Sequence, residues 1–278
     1  MIKFLVFFVS VSVLYLISVD GATPDFTELN NLKPSQSAAL QKFKAAVSSI
    51  LPHDYMKEDI YLVKWLQAQS FNAKRAETMI REALKWRNEV KIDTWENSKV
   101  FQEFEKDFPI YIDGSDREGR PIVESYFGDW NVRSMALQGK MKQLIQYSLR
   151  GIERATTKLR ERQADGKNVT QWILLLNMDG FNVINQACPA CLPLYLGYVS
   201  QYEKYWPSTI FRSLLVNTPE SFEIVLNLIR PIMSPPTRAA LKIFSSNKAE
   251  WKPYLDNLID PAEISDWFDG KKERKPAS

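Results

Sequence analysis

A segment in the last third of the chain, residues 222–233, is apolar on nearly every side of the helix that it is predicted to form. A surface helix that covers a core shows a single apolar stripe about 100° wide. The polar residues of this segment form only one narrow stripe, made of Glu223, Asn227 and Arg230. We therefore expect apolar material to meet this helix on more than one side.

Proline residues divide the region around this segment. Thr218-Pro219 combines an N-cap residue with proline at the first helical position, which starts a helix sharply. Arg230-Pro231 then interrupts the helix, and a second short helical piece, TRAALKIF, is predicted to start after Ser234. The pattern predicts a jointed helical element that can act as a lid.

Upstream of this element the apolar spacing alternates between strand-like and helical periods. Strands are predicted at residues 109–113, 120–126, 171–176, 211–217 and 240–244. Long helices are predicted between them at residues 138–162 and 189–205. Residues 171–176 form the continuous apolar run that is typical of a central strand covered on both faces. Strands separated by helices predict an α/β sheet with helices packed on it.

The chain before residue 92 has only helical spacing. Apolar residues recur at helical intervals after Pro34, after Glu58 and after Asn72, and Asn72 is a favourable N-cap residue. Residues 32–92 are therefore predicted to form a small helical lobe.

The first residues have the pattern of a secretory signal peptide. Lys3 precedes an apolar run from Phe4 to Val19, and small and acidic residues follow. The run is shorter than the roughly 20 residues of a membrane-spanning helix, although an uncleaved anchor is the competing interpretation. Cleavage after Gly21 is predicted because it leaves small residues at the recognition positions. The expected location is the endoplasmic reticulum lumen or the outside of the cell.

Two further features agree with that location. The two cysteines, Cys188 and Cys191, lie in CPAC and are predicted to form a local disulfide or to remain inert thiols; a redox role would need a thioredoxin-like context, which is not found. Asn168 begins an Asn-Val-Thr sequence in a turn-like stretch, which predicts a glycosylation site.

The charge of the chain argues against nucleic-acid binding. Its 36 basic and 33 acidic residues leave a net charge of only +3, without a broad basic footprint. Residues 271–278 form a short basic tail that is expected to be solvated. Weak attraction to anionic membrane is the alternative, because each basic residue near the surface contributes about 1 kcal/mol.

The residues that common catalytic and metal sites require are scarce. His53 is the one histidine, it lies in the helical lobe, and it is expected to be a surface residue. Phosphate-binding glycine loops, a nucleophile elbow and a set of zinc ligands are not found, and no cofactor is predicted. Asp179 and Glu203 remain as candidate carboxylates for a lipid-modifying hydrolase, but the simpler interpretation of Asp179 is that it ends a strand.

An apolar cavity beneath the jointed element would explain its composition. Each buried CH₂ group contributes about 0.8 kcal/mol, so enclosure of a long chain is strongly favourable. The alternative, equally compatible with the periodicity, is that the helix packs against protein only.

The order of several segments resembles the CRAL-TRIO lipid-binding family, which includes phosphatidylinositol transfer protein, supernatant protein factor and alpha-tocopherol transfer protein. The segments are LKPSQSAALQKFKAAV, DIYLVKWLQAQSFNAKRAETMIREALKWR, DGSDREGRPIV, WILLLNMDGF, YEKYWPSTIFRSLLVNTPESF and LIRPIMSPPTRAAL. The resemblance implies a helical lobe followed by an α/β lobe at residues 105–270. In that lobe a mainly parallel sheet would floor a hydrophobic pocket closed by a mobile gate helix, here residues 222–233. The C-terminal β-sandwich of supernatant protein factor is expected to be missing.

Two positions depart from the phosphoinositide-binding members of that family. Ser208 follows the Trp-Pro pair where those members have glutamate, and Ala240 aligns with their gate lysine. Recognition of an inositol headgroup is therefore not expected, unless Arg238 or Lys242 substitutes.

We accordingly predict a non-enzymatic carrier of a small hydrophobic molecule, such as a phospholipid, a tocopherol-like isoprenoid or a retinoid, with transient membrane contact. The predicted pocket residues are Tyr111, Tyr126, Leu174, Leu176, Val216, Phe222, Leu226, Ile229 and Ile232. The alternative is a protein-interaction module that has the same scaffold and no functional cavity.

Overall fold

The structure, a computed structural model, describes residues 26–274, so the predicted signal peptide at residues 1–21 lies outside the described residues. The helical lobe contains α1 (Thr27–Asn30), α2 (Pro34–Val47), α3 (Asp59–Ala68) and α4 (Ala73–Val90). Asn72 caps α4, its side-chain oxygen accepting from the backbone N–H of Arg75 at 3.0 Å. The apolar faces of α2, α3 and α4 meet in a core that contains Phe43, Leu62 and Ile80.

The second lobe is built on one five-stranded sheet. Its strands are β1 (Tyr111–Ser115), β2 (Pro121–Tyr126), β3 (Trp172–Asn177), β4 (Ile210–Val216) and β5 (Leu241–Ile243), in the order β1-β2-β3-β4-β5. The β1–β2 pair is antiparallel and the other three pairs are parallel. The predicted α/β class with a mainly parallel sheet is confirmed.

Helices cover both faces of the sheet. The remaining helices are α5 (Lys99–Asp107), α6 (Val132–Leu137), α7 (Met141–Ala164), α8 (Val183–Gln186), α9 (Leu192–Tyr205), α10 (Glu223–Ile229), α11 (Pro235–Ala240) and α12 (Lys248–Leu258). On one face α7 and α9 pack together; Gly197 allows the close approach, because an added Cβ would lie 3.0 Å from the side chain of Ile145. On the other face α12 packs Trp251 and Leu255 against the sheet.

The jointed element has shorter pieces than the sequence predicts. A 3₁₀ turn, Glu220–Phe222, leads into α10, and a second one, Arg230–Ile232, follows it. The helical piece α11 ends at Ala240. The rest of TRAALKIF does not continue the helix but pairs with β4 as strand β5, which agrees with the prediction of a strand at residues 240–244. We call residues 220–240 the gate and α10 the gate helix.

The described part of the basic tail packs against the sheet, so the expectation of a solvated or membrane-attracted segment was wrong for Lys272 and Arg274. The Lys272 ammonium donates to the backbone carbonyl of Asp113 at 3.1 Å. Arg274 pairs with the Asp113 carboxylate and lies over the ring of Tyr111 at 4.1 Å. These contacts tie the C-terminal segment to the edge strand β1. None of the helices within residues 26–274 combines the length and apolar character needed to cross a bilayer.

Candidate ligand-binding cavity

A cavity of about 150 Å³ lies between the sheet, α7, α9 and the gate. Its floor consists of alternate residues of the three central strands, because side chains two apart in a strand share one face. Two cross-strand rows form this floor, Val123–Leu174–Ser213 and Ser125–Leu176–Leu215.

The roof is one face of the gate. Phe222, Leu226, Ile229 and Met233 follow one another at helical intervals and all line the cavity. Ile224 is on the opposite side of the gate helix and is 53% exposed. Arg230 pairs with Glu223 on the exposed side of the gate. The helix is therefore apolar on two sides because it covers a cavity and also packs into the surrounding core, where Val225 is fully buried.

Helix α9 supplies most of one wall. Its lining residues recur at helical spacing and include three tyrosines: Leu194, Tyr195, Tyr198, Val199 and Tyr202. Helix α7 adds Ser148 and Gly151. These wall residues were not predicted, although tyrosines spaced three and four apart in a predicted helix were a visible signal of a shared face.

The polar side-chain groups of the lining residues are neutral, namely hydroxyls and the indole N–H of Trp130, and none of the lining residues carries a charge. Most of these hydroxyls bond to protein. Ser125, Ser148 and Tyr195 donate to the carbonyls of Pro109, Leu144 and Gln186 at 2.8, 2.9 and 2.9 Å. The Tyr202 hydroxyl accepts from the Ile210 N–H at 3.0 Å, and burial raises its pKa to about 12. The cavity therefore has no group that would balance a charged ligand.

Five of the nine predicted pocket residues line this cavity, namely Leu174, Leu176, Phe222, Leu226 and Ile229. The other four do not. Tyr126 and Val216 share a cross-strand row with Asn177, one residue out of phase with the floor, so they belong to the opposite face. Val216 is fully buried there against the α12 side, and the Tyr126 hydroxyl donates to Asp179 at 3.0 Å.

Tyr111 and Ile232 are also outside the cavity. The ring of Tyr111 packs against Trp267, with centroids 5.6 Å apart, and under Arg274. Ile232 is 39% exposed in the 3₁₀ turn after the gate helix, and the next residue, Met233, lines the cavity instead.

The candidate catalytic carboxylates do not face the cavity. Asp179 is exposed and accepts from Tyr126, while Glu203 accepts from the backbone N–H of Ser234 at 2.9 Å. The side chain of His53 is 40% exposed, with Nε2 3.6 Å from an oxygen of Asp93. Residues 26–274 contain no group of three or more histidine, cysteine, aspartate or glutamate side chains that could hold a metal ion.

The two positions that depart from phosphoinositide-binding proteins present no cation to the cavity. Ala240 is buried at the end of α11. Arg238 and Lys242 are exposed, and the Lys242 ammonium lies over the ring of Tyr254, 5.3 Å from its centroid. Ser208 occupies a left-handed turn before β4, with φ of 59°.

The cysteines and the predicted glycosylation site have clear positions. Cys188 and Cys191 form a disulfide immediately before α9. Asn168 is exposed, and its side-chain nitrogen donates to Thr27 at 2.8 Å.

Comparisons with known proteins agree with this architecture. The profile of the CRAL/TRIO domain matches residues 105–270, which is more than half of the chain. Protein real-time of Aedes aegypti is 26% identical over 220 residues, which cover 78% of this chain and 34% of the relative. The chain thus spans about a third of the length of that curated relative.

A solved structure extends the comparison to the fold. The crystal structure of Sfh5 superimposes with a TM-score of 0.67 at 15% identity, covering 88% of this chain and 90% of that chain. The similarity at this level of identity shows a shared fold.

Proposed function

The chain belongs to the CRAL/TRIO domain family, and from this membership we propose that it binds and transfers a small hydrophobic molecule held in the cavity under the gate. The observation that carries the proposal is the composition of the cavity. Its floor and roof are mainly aliphatic and aromatic, its polar side-chain groups are neutral, and no charged side chain lines it.

The energetics favour an apolar ligand. Each CH₂ group that moves from water into the cavity contributes about 0.8 kcal/mol. An apolar cavity of about 150 Å³ remains dry and can hold a small aromatic ring. A longer chain or a larger ring system therefore requires the gate side chains Phe222, Leu226 and Ile229 to move outward.

The gate has the joints that such a movement requires. The 3₁₀ turn Arg230–Ile232 and the extended residue Met233 separate α10 from α11. Ile224 and Ile232 are exposed on the gate, and they can contact lipid when the cavity opens at a membrane. Transient membrane contact during ligand exchange is part of the proposal.

The proposed location is the secretory pathway. Three features support it: the apolar N-terminal segment, the Cys188–Cys191 disulfide and the exposed Asn168 in its acceptor sequence. We also propose that the protein is not an enzyme, because neither Asp179 nor Glu203 is part of the cavity lining.

Organic extraction tests the proposed function directly. The full chain would be expressed in a eukaryotic secretory host, purified without detergent and extracted, and the extract analysed by mass spectrometry. We expect one hydrophobic molecule to be enriched at close to one per protein. A protein that contains no such molecule, and that takes none up from mixed-lipid vesicles, would instead support the protein-interaction alternative.

A further inference from the structure

Two hydroxyl groups of the cavity differ from the others because they have no hydrogen-bond partner in residues 26–274. They belong to Tyr198 on α9 and Ser213 on β4, and both residues line the cavity. Ser213 is only 9% exposed. Buried hydroxyls are normally paired with protein or water, as Ser125, Ser148 and Tyr195 are here.

The chain topology places these two groups in the same part of the cavity. Helix α9 connects the parallel strands β3 and β4, so it runs antiparallel to them. The hydrogen bond from the Ile210 N–H to the Tyr202 hydroxyl joins the end of α9 to the start of β4. Tyr198 is one helical turn before Tyr202, and Ser213 is three residues after Ile210. Both residues therefore lie on the same side of that hydrogen bond, in the direction in which β4 runs.

The chemistry of this pair suits a neutral polar group. A tyrosine hydroxyl donates or accepts one bond, and a serine hydroxyl donates one and accepts two. Burial raises the pKa of Tyr198, so its hydroxyl keeps its proton over the physiological range. No lysine, arginine or histidine lines the cavity to balance a carboxylate or a phosphate, and a buried charge without such a partner is strongly disfavoured.

We propose that the cavity takes an amphiphile with a single neutral hydroxyl or carbonyl group, which Tyr198 and Ser213 bind. This inference rests on the proposed function and narrows its ligand class. Hydrocarbons of the same shape would leave both hydroxyls unpaired, and acids would bring an unbalanced charge into the cavity.

A matched probe series tests the proposal. The delipidated full chain is titrated with naphthalene, 2-naphthol and 2-naphthoate, and the dissociation constants are compared. Wild type is expected to bind 2-naphthol about tenfold more tightly than naphthalene, as two hydrogen bonds of ordinary net strength would give, and to bind 2-naphthoate most weakly. Tyr198→Phe and Ser213→Ala are each expected to reduce the naphthol preference about threefold, because the two bonds together give about tenfold.

Tyr254→Phe is the matched control. It removes a tyrosine hydroxyl on the opposite face of the sheet, outside the cavity, so the naphthol preference should be retained. If naphthol and naphthalene bind and the preference survives in both Tyr198→Phe and Ser213→Ala, the inference is wrong and the proposed function stands. If none of the three probes binds wild type, the proposed function itself is contradicted.

Discussion

The carboxylate of Glu203 accepts a hydrogen bond from the backbone N–H of Ser234, with 2.9 Å between oxygen and nitrogen. Glu203 is near the end of α9, the helix that forms one wall of the cavity, and Ser234 is the N-cap of α11 in the gate. This bond connects the wall helix α9 to the start of α11, five residues after the gate helix ends at Ile229.

Loss of this bond should speed ligand release. Hydrogen bonds to charged groups contribute about 1.5–3 kcal/mol, so Glu203→Ala is expected to release a bound fluorescent hydrophobic probe to excess vesicles at least tenfold faster, measured by stopped flow. Glu203→Gln keeps an acceptor and should have a smaller effect. Equal release rates for wild type and the alanine variant would show that the joint is not held by this contact.

Charge on the inner face of the gate helix should abolish ligand retention. Leu226→Asp and Ile229→Asp place a carboxylate against the apolar cavity, where it has no counter-charge. We expect the purified variants to contain no extractable lipid while their circular dichroism remains that of a folded protein. Asn227→Asp, at an exposed position of the same helix, is the control and should retain lipid. A normal lipid content in both inner-face variants would contradict the assigned roof.

The contact between the helical lobe and the second lobe should depend on Glu153 for its stability. Its carboxylate on α7 accepts two bonds from Arg87 of α4, both at 3.0 Å, and one from the indole N–H of Trp206 at 2.9 Å. Burial alone would raise the pKa of Glu153, but the attraction of Arg87 and its hydrogen bonds outweigh that effect and lower it. The resulting stability is present above the unfolded-state pKa and is lost as the pH falls below it.

Glu153→Gln is therefore expected to lower the free energy of unfolding at pH 7 by about 3 kcal/mol, because the buried Arg87 then keeps only its longer contact with the exposed Asp93 carboxylate, at 3.4 Å. Urea denaturation between pH 3 and pH 7 would measure this change, and the variant should lose less stability than wild type over the acidic part of that range. A variant as stable as wild type at pH 7 would mean that the ion pair does not hold the lobes together.

Glu124 should show the opposite pH dependence. Glu124 lies on β2 and is 1% exposed. One of its carboxylate oxygens accepts two hydrogen bonds from Ser265, one from the backbone N–H at 3.0 Å and one from the hydroxyl at 2.5 Å. The other oxygen has no hydrogen-bond partner among the described residues. Burial raises the pKa of Glu124, and the Ser265 hydrogen bonds and Arg274 reduce that rise without reversing it. Its stabilising effect is therefore complete below the unfolded-state pKa and is lost as the pH rises through the folded-state pKa.

Replacing Glu124 with glutamine should remove that loss. We expect Glu124→Gln to raise the free energy of unfolding at pH 7 by about 1 kcal/mol and to flatten its pH dependence above the unfolded-state pKa. The measurement is urea denaturation at several pH values, with Glu153→Gln as the variant of opposite sign. Destabilisation by glutamine at pH 7 would show that the ionised carboxylate is well accommodated.

The disulfide should contribute modestly to stability. A bridge between residues three apart closes a very short loop, for which chain entropy gives about 2 kcal/mol. Cys188→Ala combined with Cys191→Ala should lower the free energy of unfolding by that amount. A reductant should lower the free energy of unfolding of wild type but not that of the variant. No response of wild type to the reductant would indicate that the thiols are not joined in the purified protein.

Much of the fold could be predicted because the relevant signals are local. The continuous apolar run at residues 171–176 predicted a central strand, and β3 (Trp172–Asn177) is one. The N-cap at Asn72 and the proline turn before the gate were visible for the same reason, since capping and helix starts depend on neighbouring residues. The family resemblance is confirmed by the match over residues 105–270.

The site could be predicted only in part. Leu174 and Leu176 were assigned to the cavity and line it, but Tyr126 and Val216 were assigned to the same face and do not. Alternation along a strand divides its residues between the two faces of the sheet. It does not show which residues of one strand share a face with which residues of the next strand. The prediction that the basic tail is solvated was wrong for a related reason. Lys272 and Arg274 bind Asp113, which is more than a hundred residues away in the chain.

The α/β class, the helices before residue 92 and the apolar segment at residues 222–233 can be predicted from the amino-acid sequence, because the period of the apolar residues decides which local structure can bury them. The side chains that enclose the cavity, and the two hydroxyls that remain unpaired within it, are defined only in the folded chain. Those properties depend on strand register and on contacts between distant segments, and hydrogen bonding and packing establish both only when the chain is folded.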